Sequence, residues 1–175
     1  YVMMFDGTHG EVMGLADASV ITEVRTGAVS GVATDLLARK DAHHLAVIGA
    51  GAQGRSHLAA MMEVRDIQKV TVYDQRREAA KKYQKEMEEK YKIPVMVCDS
   101  VEEAVKGAEI ICTVTPSKEP YLKAEWITPG AHINAVGAFT PNTREIESSL
   151  MAKAKLYADQ VEAMKKESGE YLIPK

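Results

Sequence analysis

A glycine-rich turn between a predicted strand and a predicted helix is the feature that most constrains this chain. Leu45–Ile48 is a run of four apolar residues, which is typical of a short buried strand. Gly49, Gly51 and Gly54 follow at the spacing G-x-G-x-x-G, and an apolar pattern with helical spacing begins at Leu58. This context predicts a strand, a tight turn and a helix whose N-terminus can receive a phosphate group.

Each glycine has a separate physical role in that interpretation. Gly49 allows a sharp turn out of the strand, Gly51 lets a pyrophosphate approach the backbone, and Gly54 lets the helix pack closely on the sheet. The free N–H groups at the start of the helix, from Ala52 through Gln53 to Gly54, carry partial positive charge that attracts phosphate. The alternative is an ordinary strand-to-helix turn, but further signals downstream favour dinucleotide binding.

The predicted second strand, Lys69–Asp74, ends on an acidic residue. Asp74 lies 20 residues beyond Gly54, where a dinucleotide-binding fold places a carboxylate that accepts hydrogen bonds from the adenosine ribose. A carboxylate there repels a 2′-phosphate, which favours NAD over NADP. Arg76 and Arg77 follow directly and could instead bind that phosphate, so NADP stays open. A plain strand-end turn is the alternative role for Asp74.

Predicted strands and helices alternate through the rest of the chain with short connections. The further strands are expected at 93–97, 109–115, 131–136 and 155–158, and the further helices at 76–92, 101–106, 143–150 and within 160–175. This alternation predicts an α/β fold, a doubly wound parallel sheet of the Rossmann type with about six strands and helices on both faces.

The residues before the glycine turn predict a hairpin and a helix. Tyr1–Phe5 and Glu11–Ala16 are apolar segments on either side of a turn cluster, and Thr22 is a plausible N-cap for a helix that reaches Lys40. An isolated hairpin is marginally stable in water, and the chain does not begin with Met, so we expect a piece of a longer protein. The expected divisions are 1–21 for a hairpin remnant, 22–40 for a linking helix, 41–160 for the dinucleotide-binding domain and 161–175 for a returning tail.

Arg25 falls in the first turn of that predicted helix. A cation in that position opposes the helix dipole, which suggests that Arg25 faces an anion. The alternative is an ordinary solvated arginine.

Composition excludes several classes of function. A net charge of −3 over 175 residues gives no electrostatic reason to bind nucleic acid or an anionic membrane, and no segment is long enough to span a bilayer. Cys98 and Cys112 have no metal or redox spacing and are expected to be buried thiols of a cytoplasmic protein. The histidines at 43, 44, 57 and 132 lack the spacing of metal ligands, so no metal site is predicted.

Four stretches resemble the ornithine cyclodeaminase/mu-crystallin family: ITEVRTGAVSGVA at 21–33, AVIGAGAQGRSHL at 46–58, INAVGAFTP at 133–141 and ADQVEAMKKESGE at 158–170. The resemblance covers most of the chain, and RTGA followed by GAGAQ is more specific than the glycine motif alone. It implies a homodimeric two-domain protein longer than this chain. In that arrangement the dinucleotide-binding domain is inserted between two segments that build the substrate and dimerisation domain.

The resemblance also implies chemistry. It implies a nicotinamide-dependent oxidoreductase that exchanges hydride with the nitrogen-bearing carbon of a small amino or imino acid, by imine reduction or amino-acid dehydrogenation. One alternative is an ornithine cyclodeaminase, a deaminating lyase that recycles NAD and forms proline. The other is a non-catalytic protein of the mu-crystallin kind that binds NADP or a small ligand.

Particular residues match the family pattern. Arg25 matches the arginine that holds the substrate carboxylate, a task suited to a bidentate guanidinium. The expected cofactor-binding residues, from the motif and the resemblance together, are Thr26, Gly49, Gly51, Ala52, Gln53, Gly54, Asp74, Gln75, Arg76, Thr113, Val114, Thr115, Pro116, Val136 and Gly137.

The chain departs from the family pattern in two respects. Cyclodeaminases of the family carry an Asp after the NAVGG-type strand end, where this chain has Phe139, which cannot act as a general base. This favours imine reduction or amino-acid oxidation over cyclodeamination. The catalytic lysine of the family belongs to an N-terminal segment that this sequence does not include. The chain by itself is therefore expected to bind a cofactor without turning over a substrate.

Overall fold

The centre of the molecule is a five-stranded parallel sheet. The computed structural model describes residues 1–173, and the strands of this sheet lie in the order β5-β4-β3-β6-β7. They are β3 (His44–Ile48), β4 (Lys69–Tyr73), β5 (Val95–Val97), β6 (Ile110–Thr113) and β7 (His132–Ala135). β3 is buried along its whole length because it pairs with β4 on one side and β6 on the other. The strand order reverses direction beside β3, so the crevice for a ligand lies at the carboxyl end of this strand.

Helices cover both faces of the sheet. The longer ones are α1 (Ser19–Leu37), α2 (Ala52–Val64) and α3 (Arg77–Tyr91), followed by α4 (Val101–Val105), a short 3₁₀ turn at Ala124–Trp126, α5 (Ser148–Met151), α6 (Val161–Glu167) and α7 (Gly169–Leu172). One apolar cluster joins the sheet to α2 and α3 through Leu58 and Tyr83. A second cluster, which includes Val105, Leu122 and Leu150, packs on the opposite face. The predicted doubly wound Rossmann-type fold is confirmed.

A separate two-stranded hairpin precedes the sheet. β1 (Val2–Phe5) pairs antiparallel with β2 (Val12–Ala16), and the Asp6 carboxylate accepts the backbone N–H groups of Thr8 and His9 in the turn. The predicted hairpin is therefore confirmed. Its apolar side chains are exposed, Met13 by 71%.

The start and end of α1 differ from the prediction. The helix begins at Ser19, whose N–H bonds to the Asp17 carboxylate at 2.8 Å, so Thr22 is an interior residue and not the N-cap. At its other end α1 stops at Leu37, before Lys40, where the Arg65 guanidinium binds the carbonyl groups of the last turn. The cap that stops the helix comes from a residue distant in sequence, which the local pattern cannot reveal.

Two elements predicted after β7 are wrong. Residues 155–158 are exposed and form no strand, so β7 is the edge strand of the described sheet. The helix predicted at 143–150 is reduced to α5, because the preceding residues run beside a neighbouring loop. Ile146 forms a parallel bridge with Leu122, and the Glu145 carbonyl accepts the N–H groups of Tyr121 and Leu122. These tertiary contacts outweigh local helix propensity.

α1 packs on α2 and is joined to it by buried polar contacts. Ser30 Oγ lies 2.9 Å from His57 Nε2 at the centre of the contact. Near the end of the pair, Arg65 Nη1 bonds to the Asp35 carboxylate at 3.0 Å. The divisions proposed above at 21, 40 and 160 stay predictions. The last two residues of the predicted tail, 174 and 175, lie outside the described residues.

The remaining expectations concern thiols, metals and membranes. Cys98 and Cys112 are buried free thiols, as predicted, and burial raises the pKa of Cys112 to about 12. Within residues 1–173 no group of His, Cys, Asp and Glu side chains is placed to hold a metal ion. No helix in the same range is both long and apolar enough to cross a membrane.

Candidate dinucleotide-binding site

The glycine turn lies between β3 and α2 at the carboxyl end of the central strand. Gly49 has φ +112°, a conformation that side chains rarely adopt, and a Cβ there would lie 2.8 Å from the Val114 carbonyl oxygen. A Cβ on Gly54 would lie 2.3 Å from the Gly49 carbonyl oxygen. These two glycines are therefore required by the turn itself and by the close packing of helix on strand.

Gly51 differs from the other two glycines of the turn. A Cβ added there would meet nothing within 4 Å, so its space faces away from the protein. Gly51 is also the N-cap of α2, and no side chain caps this helix end. The N–H groups of the first turn of α2 are thus available to an anion, and the chain can be approached closely at Gly51. This is a cradle suited to a pyrophosphate.

Side chains that the motif did not reveal brace the turn from outside. Arg55 Nη1 donates to the carbonyl groups of Ala50 and Gly51 at 2.6 and 3.0 Å. The same guanidinium binds Glu86 through Nε and Nη2 at 2.9 and 2.6 Å, and it lowers the pKa of that carboxyl. Since Arg55 holds carbonyl groups, the N–H groups of the turn stay available for a ligand.

Tyr83 supports the same turn from α3. Its hydroxyl donates to the Gly54 carbonyl at 3.1 Å, and its fully buried ring lies 5.6 Å from the Arg55 guanidinium carbon. Burial raises the pKa of this phenol well above its ordinary value, so the hydroxyl is a stable donor. α3 was predicted as a helix at 76–92, and its buried residues Tyr83 and Met87 show that one of its faces is structural.

Asp74 lies directly after β4, beside the glycine turn. Its Oδ2 accepts the Ala50 N–H at 2.9 Å and its Oδ1 accepts the Arg76 N–H at 2.9 Å. A carboxylate oxygen can accept more than one hydrogen bond, so Asp74 can hold the loop and also receive a ribose hydroxyl. The Arg76 side chain is 81% exposed and Gln75 is exposed, while Arg77 pairs with Asp99.

The N-terminal part of α1 lies beside the start of α2. Gln53 Nε2 reaches the Thr22 carbonyl at 3.4 Å, and Thr26 Oγ1 donates to that carbonyl at 2.8 Å, so Gln53 and Thr26 are brought together. Arg25 is exposed and lies in the second turn of α1 rather than the first, because the helix begins at Ser19. The dipole argument for an anion at Arg25 is therefore wrong in its premise.

The carboxyl ends of β6 and β7 form the other half of the crevice. The Thr113 carbonyl accepts the N–H groups of Val136 and Gly137 at 3.0 and 3.2 Å, which joins the two strand ends. Val114 donates its N–H to the Ile48 carbonyl at 2.9 Å, and Pro116 is exposed at the rim. The predicted segments 113–116 and 136–137 are thus neighbours in space.

Glu145 holds this second half, although the sequence argument did not select it. The side chain is fully buried. Its Oε1 accepts from Thr115 N, Thr115 Oγ1 and Tyr121 Oη at 2.8, 2.6 and 2.7 Å. Its Oε2 accepts from Gly137 N at 2.8 Å. No local sequence signal could have identified Glu145, because its partners lie up to 30 residues away along the chain.

A second buried carboxylate supports the segment that carries Glu145. Glu170, in α7, accepts the N–H groups of Glu145 and Ile146, the latter at 3.0 Å. Burial raises the pKa of Glu170, while these two backbone N–H groups act in the opposite direction. Nearby, Phe139 is 73% exposed on the loop after β7.

The whole arrangement defines a class of protein: a Rossmann-type fold whose glycine turn, helix N-terminus and strand-end carboxylate are suited to a dinucleotide. The chain matches the sequence model of the ornithine cyclodeaminase/mu-crystallin family over residues 1–174. It belongs to that family, as the resemblance predicted.

Individual relatives agree with this assignment. Mouse ketimine reductase mu-crystallin is 44% identical over 172 residues, which are 98% of this chain and 54% of the relative. The Thermococcus litoralis Δ¹-pyrroline-2-carboxylate reductase, solved with NADH and L-proline, is 41% identical with a TM-score of 0.95 over 98% of this chain and 53% of that one. An archaeal alanine dehydrogenase dimer with bound NAD is 37% identical with a TM-score of 0.88 over 94% of this chain and 50% of that one. The chain thus spans about half the length of these relatives.

Proposed function

We propose that this chain is the cofactor-binding part of a nicotinamide-dependent oxidoreductase that reduces a small imino acid or oxidises the corresponding amino acid. The observation that carries the proposal is the open space at Gly51, on a turn that is braced by Arg55 and Asp74. Two of the similar structures were solved with NADH or NAD bound. NAD is the proposed cofactor, with NADP as the alternative.

The residues present fit such a cofactor. The first-turn N–H groups of α2 would bind the pyrophosphate, and Asp74 would accept the adenosine ribose hydroxyls. Gln53 lies in the first turn of α2, Thr26 lies beside it on α1, and both would complete the phosphate contacts. Since Asp74 fixes the adenosine half beside β4, the nicotinamide half must extend over β6 and β7, along segments 113–116 and 136–137.

The chemistry follows from this placement. A bound nicotinamide supplies or accepts a hydride. Arg25, with its exposed guanidinium, would orient the substrate carboxylate. The imine needs a proton donor. We propose that this donor belongs to a part of the whole protein that corresponds to the half of the relatives that this chain does not match. Phe139 stands where cyclodeaminases have an Asp, which supports reduction over deamination.

The wider setting is also proposed. We propose that the whole protein is a homodimer, on the basis of the dimeric alanine dehydrogenase, and that it acts in the cytoplasm, which fits two buried unpaired thiols. A small amino or imino acid is the proposed partner, and neither nucleic acid nor a membrane is expected.

Calorimetric titration of the chain with NADH and with NADPH tests the proposed cofactor site. We expect binding of NADH, and tighter binding of NADH than of NADPH, because Asp74 disfavours a 2′-phosphate. Tighter binding of NADPH would support the cofactor site and would indicate that Arg76 binds the 2′-phosphate at the adenosine end. Binding of neither would contradict the proposal.

Turnover of Δ¹-pyrroline-2-carboxylate and of L-ornithine by the whole protein separates the three activities. Imine reduction supports the proposal, and ammonia release from ornithine would indicate the cyclodeaminase. Tight cofactor binding with no turnover over a broad panel of amino and keto acids would indicate a carrier.

A further inference from the structure

We propose that Glu145 is a positioning residue that sets the nicotinamide half of the cofactor site by clamping the carboxyl ends of β6 and β7 together. This inference rests on the proposed function, and it assigns a task to a residue that no motif identified. Glu145 touches the two backbone segments that would flank the nicotinamide, at Thr115 and at Gly137.

The donors around Glu145 suit a carboxylate, whose two oxygens only accept. Four donors point at its two oxygens: two N–H groups and two hydroxyl groups, at 2.6–2.8 Å. A carboxylate accepts all four and donates nothing, whereas an amide would turn its NH₂ group toward the N–H of Thr115 or of Gly137. The side chain is therefore matched in charge as well as in shape.

Burying the charged side chain of Glu145 costs free energy, which indicates that this residue does more than fill space. In the described chain Glu145 makes no ion pair, and Arg144 beside it is directed to Glu170 and to the Ile146 carbonyl. A buried charge without a counter-ion is stable only when hydrogen bonds replace water. Here those hydrogen bonds come from the ends of two strands, so the buried charge is stabilised only by joining them.

The backbone around the clamp leaves no space for another side chain. A Cβ on Gly137 would lie 2.1 Å from the Thr115 carbonyl oxygen and 2.5 Å from Glu145 Cδ. Glu145 is itself held from α7, since Glu170 accepts its N–H and that of Ile146. Glu170 thus positions Glu145, and Glu145 in turn positions Thr115 and Gly137.

Comparison of NADH with ADP tests this role. ADP keeps the adenosine and both phosphates and lacks the nicotinamide riboside, so it reports only the half of the site built by β3 and β4. We expect Glu145→Gln to weaken NADH binding about tenfold, because the amide must turn a donor toward Thr115 or Gly137. Binding of ADP should stay within about twofold of the wild type, since a hydrogen bond lost at β7 does not reach the adenosine half.

Glu147→Gln is the matched control, since Glu147 makes no side-chain cap bond to α5 and lies two residues away. It should leave both affinities unchanged. Equal weakening of NADH and ADP by Glu145→Gln would overturn the positioning role and indicate general loss of structure. Unchanged NADH binding would also overturn it. If the wild type binds neither ligand, the proposed function fails, and this inference fails with it.

A second variant keeps the test decisive if Glu145→Gln does not fold. Thr115→Val removes one hydroxyl donor and keeps the buried carboxylate with both backbone N–H groups. We expect about threefold weaker NADH binding and no change for ADP, because the lost hydrogen bond holds the end of β6 itself. An equal change for both ligands, or none for NADH, would overturn the proposal.

Discussion

The two halves of the candidate site are built in different ways. The half around β3 and β4 comes from one continuous stretch, in which Gly49, Gly51 and Gly54 follow the strand directly and Asp74 follows the next strand. The half around β6 and β7 is held by Glu145, which comes 30 residues after Thr115 and bonds to two strand ends at once. The first half is a local motif, and the second is a tertiary assembly.

The two halves therefore depend on different features of the sequence. In the first half, the ligand-facing groups are backbone N–H groups, so glycine spacing by itself encodes them. In the second half, the backbone is placed by a buried side chain, and any sequence that supplies such a carboxylate at that point in space would serve. Substitutions in the first half should therefore affect the whole cofactor, and substitutions in the second should affect only its nicotinamide end.

Gly51→Val should have the largest effect on the first half. A Cβ there meets no protein atom within 4 Å, so we expect the fold to be kept while the space for a pyrophosphate is filled. We expect affinity for both NADH and ADP to fall at least about a hundredfold, since the close approach of the backbone to the phosphates is lost. Calorimetry measures the affinities. Gly7→Val, at another open glycine in the hairpin turn, is the matched control and should change neither. Unchanged NADH affinity in Gly51→Val would refute the assignment of this loop.

Asp74→Ala should come next. The variant loses a carboxylate that holds the Ala50 N–H and that would receive the ribose, so NADH should bind about tenfold more weakly, in line with the loss of a charged hydrogen bond. NADPH should lose less, because the repulsion of its 2′-phosphate is removed at the same time. Parallel titrations of the two cofactors give the ratio, with Asp41→Ala on the exposed loop before β3 as the control. An equal loss for both cofactors would show that Asp74 only supports the turn.

Tyr121→Phe tests whether a donor to Glu145 that is not at a strand end affects cofactor binding. The change removes one of the four donors to Glu145 and keeps both strand-end N–H groups. We expect the free energy of unfolding to fall by about 1 kcal/mol while NADH affinity stays within about twofold, because a single buried hydrogen bond is lost at no strand end. Denaturant unfolding and calorimetry report the two quantities. A tenfold loss of affinity would mean that Tyr121 is part of the clamp itself.

The smallest expected effect concerns folding stability. The contributions of His57, in the first half, and of Glu170, which supports the second, should depend on pH with opposite signs. Burial lowers the pKa of His57 below its ordinary 6.5, so the unfolded state takes up its proton first and stability falls as the pH drops below about 6.5. Burial raises the pKa of Glu170 above its ordinary 4.5, so its contribution to stability falls as the pH rises through the window above 4.5.

Thermal unfolding between pH 7.5 and 4.5 tests this pair. His57→Gln should reduce the acid loss by up to about 1 kcal/mol, since one proton per molecule is involved. Glu170→Gln should remove the gain in stability on acidification above pH 4.5. His9→Gln, in the exposed hairpin turn, provides a neutral reference. Identical pH profiles for His57→Gln and the wild type would contradict the prediction.

Some elements could be predicted because their determinants are local. Four apolar residues followed by G-x-G-x-x-G specify β3, the turn and the start of α2 within one short stretch. One of the four stretches that carry the family resemblance covers the same residues. The hairpin at β1 and β2 was predicted for the same reason. Prediction failed where distant residues decide, as at Thr22, where Asp17 provides the earlier start, and at 155–158, where no neighbouring strand pairs with the segment.

The fold class, the family and the glycine turn could be predicted from the sequence, since those depend on residue spacing and on backbone conformations that glycine permits. Tertiary structure alone decided that Arg55 and Tyr83 brace the glycine turn, and that Glu145 joins β6 to β7 with support from Glu170. The physical reason is that a buried charged group is stable only where several separate segments bring their donors to it, and spacing along the chain does not record that convergence.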